Sequence, residues 1–168
     1  MQRYHRQIQI PEVGTEGQKK IAMAKVLLIG VGGLGSPAAL YLAAAGVGTI
    51  GLIDYDSVDI TNLQRQVIYS SADANKPKVL AAKERLTQLN PEVKIKIFQE
   101  KLTLQNARSL FSQFDYIIDG ADNFATRFLV NDASFFSQIP LISASVLGFE
   151  GQLAVFNFCT QVIFDFNF

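Results

Sequence analysis

The sequence contains very little cysteine, with Cys159 as the only one among 168 residues. A single cysteine cannot form an intrachain disulfide, and it cannot supply a zinc site built from several cysteines. Such low cysteine content is typical of proteins that work in a reducing compartment. The single histidine, His5, fits no motif position, so we expect it to be structural.

The sequence also lacks an excess of either charge. The 15 lysine and arginine residues balance 15 aspartate and glutamate residues, so the formal net charge is zero. This balance gives no indication of a partner such as nucleic acid or an anionic membrane. It leaves room for a local basic pocket that binds a small phosphate ligand.

Long apolar runs are missing as well. The longest, residues 38–47, is rich in alanine and is about half as long as a membrane span. The polar N-terminal sequence MQRYHRQIQIPEVG lacks the apolar centre of a signal peptide. We therefore expect a soluble, cytoplasmic protein.

Strand-like and helix-like patterns alternate along the chain, which is long enough for one domain with a substantial core. We predict strands at residues 25–29, 49–53, 93–98, 116–118, 141–145 and 151–158, and helices at residues 34–45, 77–89, 105–112 and 125–137. This order predicts an α/β fold, doubly wound around a mainly parallel sheet. A long polar loop at residues 55–75 interrupts it, and such loops are usually functional.

A glycine-rich motif follows the first predicted strand. Residues 30–35 read Gly-Val-Gly-Gly-Leu-Gly and match G-x-G-x-x-G at the start of a helix. Glycine lets the backbone approach a phosphate closely, and the helix N-terminus carries a partial positive charge. The alternative is a tight turn chosen for packing. Asp54 ends the second strand and is placed either to accept hydrogen bonds from a ribose or to cap the loop. These two features do not distinguish a site for NAD from a site for ATP.

The stretch from Asp54 to Gln66 distinguishes further between classes of nucleotide-binding protein. Its pattern D-x-D-x-V-x-x-x-N-L-x-R-Q resembles the adenylation domain of MoeB, ThiF, HesA and the ubiquitin-activating enzymes. Four further segments resemble motifs of that family, and all of them occur in the family's order: Arg3–Gln7, Lys76–Val79, Asp119–Asn123 and Gly148–Gln152.

The resemblance implies a Rossmann-like adenylation domain that uses ATP and Mg²⁺. Its reaction would be attack of the C-terminal carboxylate of a ubiquitin-like sulfur-carrier protein, of molybdopterin or thiamine type, on the α-phosphate. The protein is then expected to be a homodimer, with Arg6 reaching the phosphates of the neighbouring subunit. The alternative for Arg6 is a surface salt bridge.

The expected site residues are charged residues, amides and glycines, which are suited to binding a nucleotide. Arg65 and Lys78 are cations for the phosphates, although a surface arginine and an ordinary helix-start lysine are the alternatives. Asp122 is suited to Mg²⁺, whereas Asp119 is expected to orient its turn. The remaining expected nucleotide contacts are Gly30, Gly32, Gly33, Gly35, Asp54, Asn62, Gln64 and Asn123.

The C-terminal end departs from the family pattern. We interpret residues 1–158 as the adenylation core and residues 159–168 as an atypical tail, without the family's zinc-binding C-x-x-C pairs or its crossover loop. Cys159 is expected to be an ordinary strand cysteine. Two alternatives remain open: an NAD-dependent oxidoreductase, and a catalytically inactive remnant that only binds nucleotide or dimerises.

Overall fold

A six-stranded sheet forms the centre of this computed structural model, which describes residues 2–158. The strands are β1 (Lys25–Ile29), β2 (Thr49–Ile53), β3 (Lys94–Phe98), β4 (Tyr116–Asp119), β5 (Leu141–Leu147) and β6 (Glu150–Phe156). Their order across the sheet is β3-β2-β1-β4-β5-β6. The first five are parallel, and β6 runs antiparallel to β5. The predicted doubly wound, mainly parallel α/β fold is confirmed.

Helices cover both faces of the sheet. They are α1 (His5–Ile8), α2 (Gly14–Met23), α3 (Gly35–Ala45), α4 (Lys78–Leu89), α5 (Leu104–Phe111) and α6 (Phe124–Ser137). The last four match the predicted helices to within one residue at each end. No prediction covered α2, whose one buried residue is the polar Gln18, so it carries little apolar periodicity. Within residues 2–158 no helix is long and apolar enough to cross a membrane.

The core consists of two layers that β1 separates. Val26 and Leu28 pack among residues of α3 and α4 on one face. Leu27 and Ile29 pack among residues of α5 and α6 on the other. Because both faces are covered, the four successive residues 26–29 are all buried, which explains the unbroken apolar run that the sequence shows.

The long loop after β2 is held by pairing between its two ends. The backbone N–H of Val58 donates to the carbonyl of Lys76 at 2.8 Å, and that of Lys78 donates to the carbonyl of Asp56 at 2.9 Å. Two short 3-10 helices, Ile60–Asn62 and Ser71–Asp73, lie between these ends. The pairing places the start of α4 beside the end of β2.

The last described strand ends at Phe156, two residues earlier than predicted. The expectations for Cys159 and for the tail at residues 160–168 lie outside the described residues.

Candidate functional site

A cleft of about 520 Å³ opens at the carboxyl ends of the parallel strands. The strand order reverses between β1 and β4, and doubly wound sheets bind ligands at such a reversal point. The cleft brings together eight of the predicted site residues: Gly30, Gly32, Gly33, Asp54, Arg65, Lys78, Asp122 and Asn123.

The turn between β1 and α3 forms the floor of the cleft. Gly30 has φ +83°, and a Cβ there would lie 3.2 Å from the carbonyl oxygen of Gly120. Gly35 does not line the cleft, and a Cβ on it would clash with the carbonyl oxygen of Gly30. Glycine at position 35 therefore serves the packing of the turn, whereas Gly32 and Gly33 present their backbone to the cleft.

Asp54 fixes the shape of this turn. Its Oδ2 accepts a hydrogen bond from the backbone N–H of Val31 at 2.9 Å, and its Oδ1 accepts one from that of Asp56 at 2.9 Å. Each carboxylate oxygen keeps a second lone pair, so the side chain can still accept a hydroxyl from a ligand. Both alternatives considered from the sequence, capping the loop and facing a ligand, are compatible with this geometry.

Lys78 is a buried cation at the first position of α4. Its side chain is 6% exposed, and its Nζ lies 2.9 Å from Oδ2 of Asp56, whose side chain is 50% exposed. A positive charge at a helix N-terminus opposes the helix dipole, so an anionic neighbour is needed to stabilise it there. Asp56 supplies that anion in the free chain.

Arg65 lies along the glycine turn. Its Cδ is 3.5 Å from the position that a Cβ on Gly33 would occupy. The guanidinium donates to Oδ1 of Asn62 at 3.1 Å and to Oε1 of Gln64 at 3.4 Å. Asn62 and Gln64 themselves do not line the cleft. In this structure their amides orient the arginine instead of facing the cleft.

The loop after β4 forms one wall of the cleft. Asp119 is buried, and its Oδ1 accepts a hydrogen bond from the backbone N–H of Ala121 at 3.0 Å, so it orients the turn as expected. Burial raises the pKa of the Asp119 carboxyl, and this hydrogen bond together with Arg127, whose Nε lies 3.5 Å away, opposes that rise. Asn123 caps α6, accepting from the backbone N–H of Thr126 at 2.9 Å.

Asp122 differs from Asp119 in being exposed on the cleft wall. Its Oδ1 accepts a 3.4 Å hydrogen bond from the side chain of Asn123. Among residues 2–158 no group of three or more His, Cys, Asp or Glu side chains is arranged to hold a metal ion. A metal in this cleft would therefore need ligands other than three such side chains.

Arg6 lies outside the cleft, exposed on α1. The adjacent Gln7 donates to the carbonyl of Ala45 at 3.2 Å, at the end of α3 farthest from the glycine turn. An eleven-residue helix such as α3 is about 16 Å long. One arginine side chain does not span that distance, so Arg6 does not reach the cleft of its own chain.

Several residues that the sequence analysis left without a role also line the cleft, among them Tyr55, Gln66, Lys101 and Arg127. Lys101 follows β3, and the carboxyl ends of parallel strands share one edge of the sheet, so its position was a usable signal. Its Nζ lies 5.9 Å from the ring centre of Tyr55. Gln66 belongs to the quoted motif, but nothing in the sequence indicated that it would be buried.

Comparison with known proteins matches residues 4–166 to the ThiF family. The probable adenylyltransferase/sulfurtransferase MoeZ of Mycobacterium tuberculosis is 50% identical over 154 residues, which are 92% of this chain and 39% of that protein. The sulfur carrier protein adenylyltransferase of Thermus thermophilus is 45% identical over 157 residues, 94% of this chain and 58% of that protein. The chain thus spans roughly half the length of these relatives.

A solved structure has the same architecture. The E. coli tRNA N6-threonylcarbamoyladenosine dehydratase TcdA, in complex with ATP, superposes with a TM-score of 0.80 and 30% sequence identity. The match covers 84% of this chain and 58% of that one. The family resemblance drawn from the motifs is confirmed.

Proposed function

This chain belongs to the ThiF family, and on that premise we propose that its cleft binds Mg·ATP to adenylate the C-terminal carboxylate of a ubiquitin-like sulfur-carrier protein. The observation that carries the proposal is the buried ammonium of Lys78 in a cleft floored by a glycine turn. Relatives named as a sulfur carrier protein adenylyltransferase and an adenylyltransferase/sulfurtransferase support this reaction. The ATP complex of TcdA supports the choice of nucleotide. The low cysteine content is in keeping with a cytoplasmic location.

In the proposed reaction a carboxylate oxygen of the carrier attacks the α-phosphorus of ATP. The bond from that phosphorus to the oxygen bridging the α- and β-phosphates breaks, and pyrophosphate leaves with the electron pair. The product is an acyl-adenylate. Lys78 and Arg65 offset the charge of the phosphates, and Asp54 accepts hydrogen bonds from the ribose.

Asp122 is the residue that would hold Mg²⁺. The ion takes one or two protein carboxylates and completes its shell with phosphate oxygens and water, so a single exposed carboxylate on the cleft wall fits. When bound, Mg²⁺ supplies positive charge to the phosphates and to the departing pyrophosphate.

Arg6 enters the proposal as a residue of a homodimer. Its own cleft is out of reach, so in this proposal Arg6 acts in the cleft of a second copy across a two-fold interface, where each copy serves the other's site. The exposed guanidinium on α1 is available for such a contact. We place Arg6 at the phosphates of the partner's site.

Titration calorimetry with Mg·ATP and with NAD tests the nucleotide choice. We expect the chain to bind Mg·ATP more tightly, because Lys78, Arg65 and Asp122 form a triphosphate–metal site that NAD would leave largely unused. Clear heat with NAD and none with ATP would favour the oxidoreductase alternative. Repeating the ATP titration with EDTA should weaken binding, since the phosphates then lack the metal.

A further inference from the structure

Gln66 is a buried glutamine whose side-chain oxygen has no hydrogen-bond partner among residues 2–158. The residue is 4% exposed, and its Oε1 receives no hydrogen bond from any part of the chain that the structure describes. Native proteins leave few buried polar groups in this state, because each loses its bonds to water and gains nothing in exchange. The arrangement calls for a reason outside the free chain.

The local backbone gives no such reason. The backbone N–H of Gln66 donates to the carbonyl of Asn62 at 3.0 Å, and its carbonyl accepts from the N–H of Tyr69 at 3.2 Å. The turn is therefore complete without the Gln66 side chain. Tyr69 then fastens the turn to the floor of the cleft, since its hydroxyl donates to the carbonyl of Val31 at 2.8 Å.

The position of the amide points to the cleft. Gln66 lines the cleft, and its Nε2 lies 3.6 Å from where a Cβ on Gly32 would sit. Its neighbour Arg65 lies against Gly33 in the same way. The two side chains thus lie side by side against the turn that is proposed to receive the phosphates.

A second buried glutamine provides an internal comparison. Gln18 is 6% exposed, its Nε2 donates to the carbonyl of Ala45 at 3.0 Å, and its Oε1 accepts from the side chain of Gln7 at 3.0 Å. This side chain lies at the opposite end of the sheet, far from the cleft. The fold therefore provides hydrogen-bond partners for the buried side chain of Gln18, whose role is structural. It provides none for Oε1 of Gln66 among the described residues.

We propose that the side-chain amide of Gln66 is a direct ligand of the nucleotide's phosphate groups, with Nε2 as the hydrogen-bond donor. The unsatisfied Oε1 is then the loss of stability that accompanies an amide held beside the glycine turn. This inference rests on the proposed function. An amide NH₂ donates to a phosphate oxygen, and Nε2 already lies against the glycine turn. Being neutral, Gln66 orients the phosphates beside Arg65 and Lys78 without adding to the charge.

The test compares Gln66→Met with Gln18→Met, two changes that remove a buried amide while keeping its approximate volume. Affinities for Mg·ATP and for adenosine are measured by titration, and unfolding temperatures without ligand by calorimetry. Gln66→Met should weaken ATP binding about tenfold and leave adenosine binding unchanged. Its unfolding temperature should equal or exceed that of the wild type, because an unsatisfied group is removed.

The control should behave in the opposite way. Gln18→Met should lower the unfolding temperature, since it removes both hydrogen bonds that the Gln18 side chain makes, and it should keep the ATP affinity of the wild type. Gln66→Glu should weaken ATP binding more than Gln66→Met does, because it places a negative charge against the phosphates.

Three results would overturn the inference. The first is wild-type ATP affinity in Gln66→Met. The second is an equal loss of ATP and adenosine binding in that variant. The third is unfolding of both Gln66 variants, which would give the residue a structural role. If the wild-type chain binds no ATP, the proposed function itself is refuted. If the wild type binds ATP and one of the three results above is found, only the inference about Gln66 is refuted.

Discussion

Lys78→Met should reduce the affinity of the chain for Mg·ATP by about a hundredfold, a loss of about 3 kcal/mol. The Lys78 side chain is 6% exposed, and a charge-assisted contact with phosphate is strong where water is excluded. When ATP binds, Asp56 can turn to water because half of its side chain is already exposed. Lys78 then remains with the phosphates, and methionine fills its volume without replacing the charge.

The matched control is Lys83→Met on the same helix, where the lysine is exposed and outside the cleft. It makes the same change of charge, so it should leave ATP affinity within about twofold of the wild type, since exposed charges are screened by salt. Calorimetric titration of both variants gives the comparison. Equal ATP affinity in the two variants would remove Lys78 from the phosphate site.

Mixing Arg6→Ala protein with Asp122→Ala protein should restore activity that each variant has lost. Each alone should show about a hundredfold less carrier-dependent ATP–pyrophosphate exchange. If Arg6 serves the partner's site, a mixed dimer contains one site with both residues intact. Equal mixing should then recover about a quarter of the wild-type exchange, because about half of the dimers are mixed and each has one working site of two.

The control pair is Arg65→Ala with Asp122→Ala. Both residues line the cleft of one chain, so every site in a mixed dimer lacks one of them and no recovery is expected. Subunit mixing is verified by mass spectrometry of the intact dimers. Mixed dimers that form from the Arg6 and Asp122 variants without regaining exchange would contradict a role for Arg6 in the partner's site.

Much of the fold was predictable because its signals are local. Unbroken apolar runs such as residues 25–29 indicate strands buried on both faces, and the glycines that follow indicate a tight turn into a helix. The helix α2 gave no comparable signal. It packs through the polar Gln18, which bonds to residues distant in the sequence.

The candidate site was predictable as a set of residue types at family spacings, but their contacts were not. Asn62 and Gln64 were expected at the nucleotide, whereas in the structure they hold Arg65 beside the glycine turn. The burial of Gln66 was not foreseen, because a glutamine in a polar loop has the same local pattern whether it is exposed or covered.

The sequence by itself therefore determined the order of strands and helices, the glycine turn and the charged residues available to a phosphate ligand. Only the tertiary structure decided that Lys78 meets Asp56, that Oε1 of Gln66 has no partner within residues 2–158, and that Arg6 lies at the far end of its own sheet. Each of these outcomes depends on segments about 20 or more residues apart being brought together. Chain closure over that distance is set by the packing of the whole sheet and its helices, which no local pattern encodes.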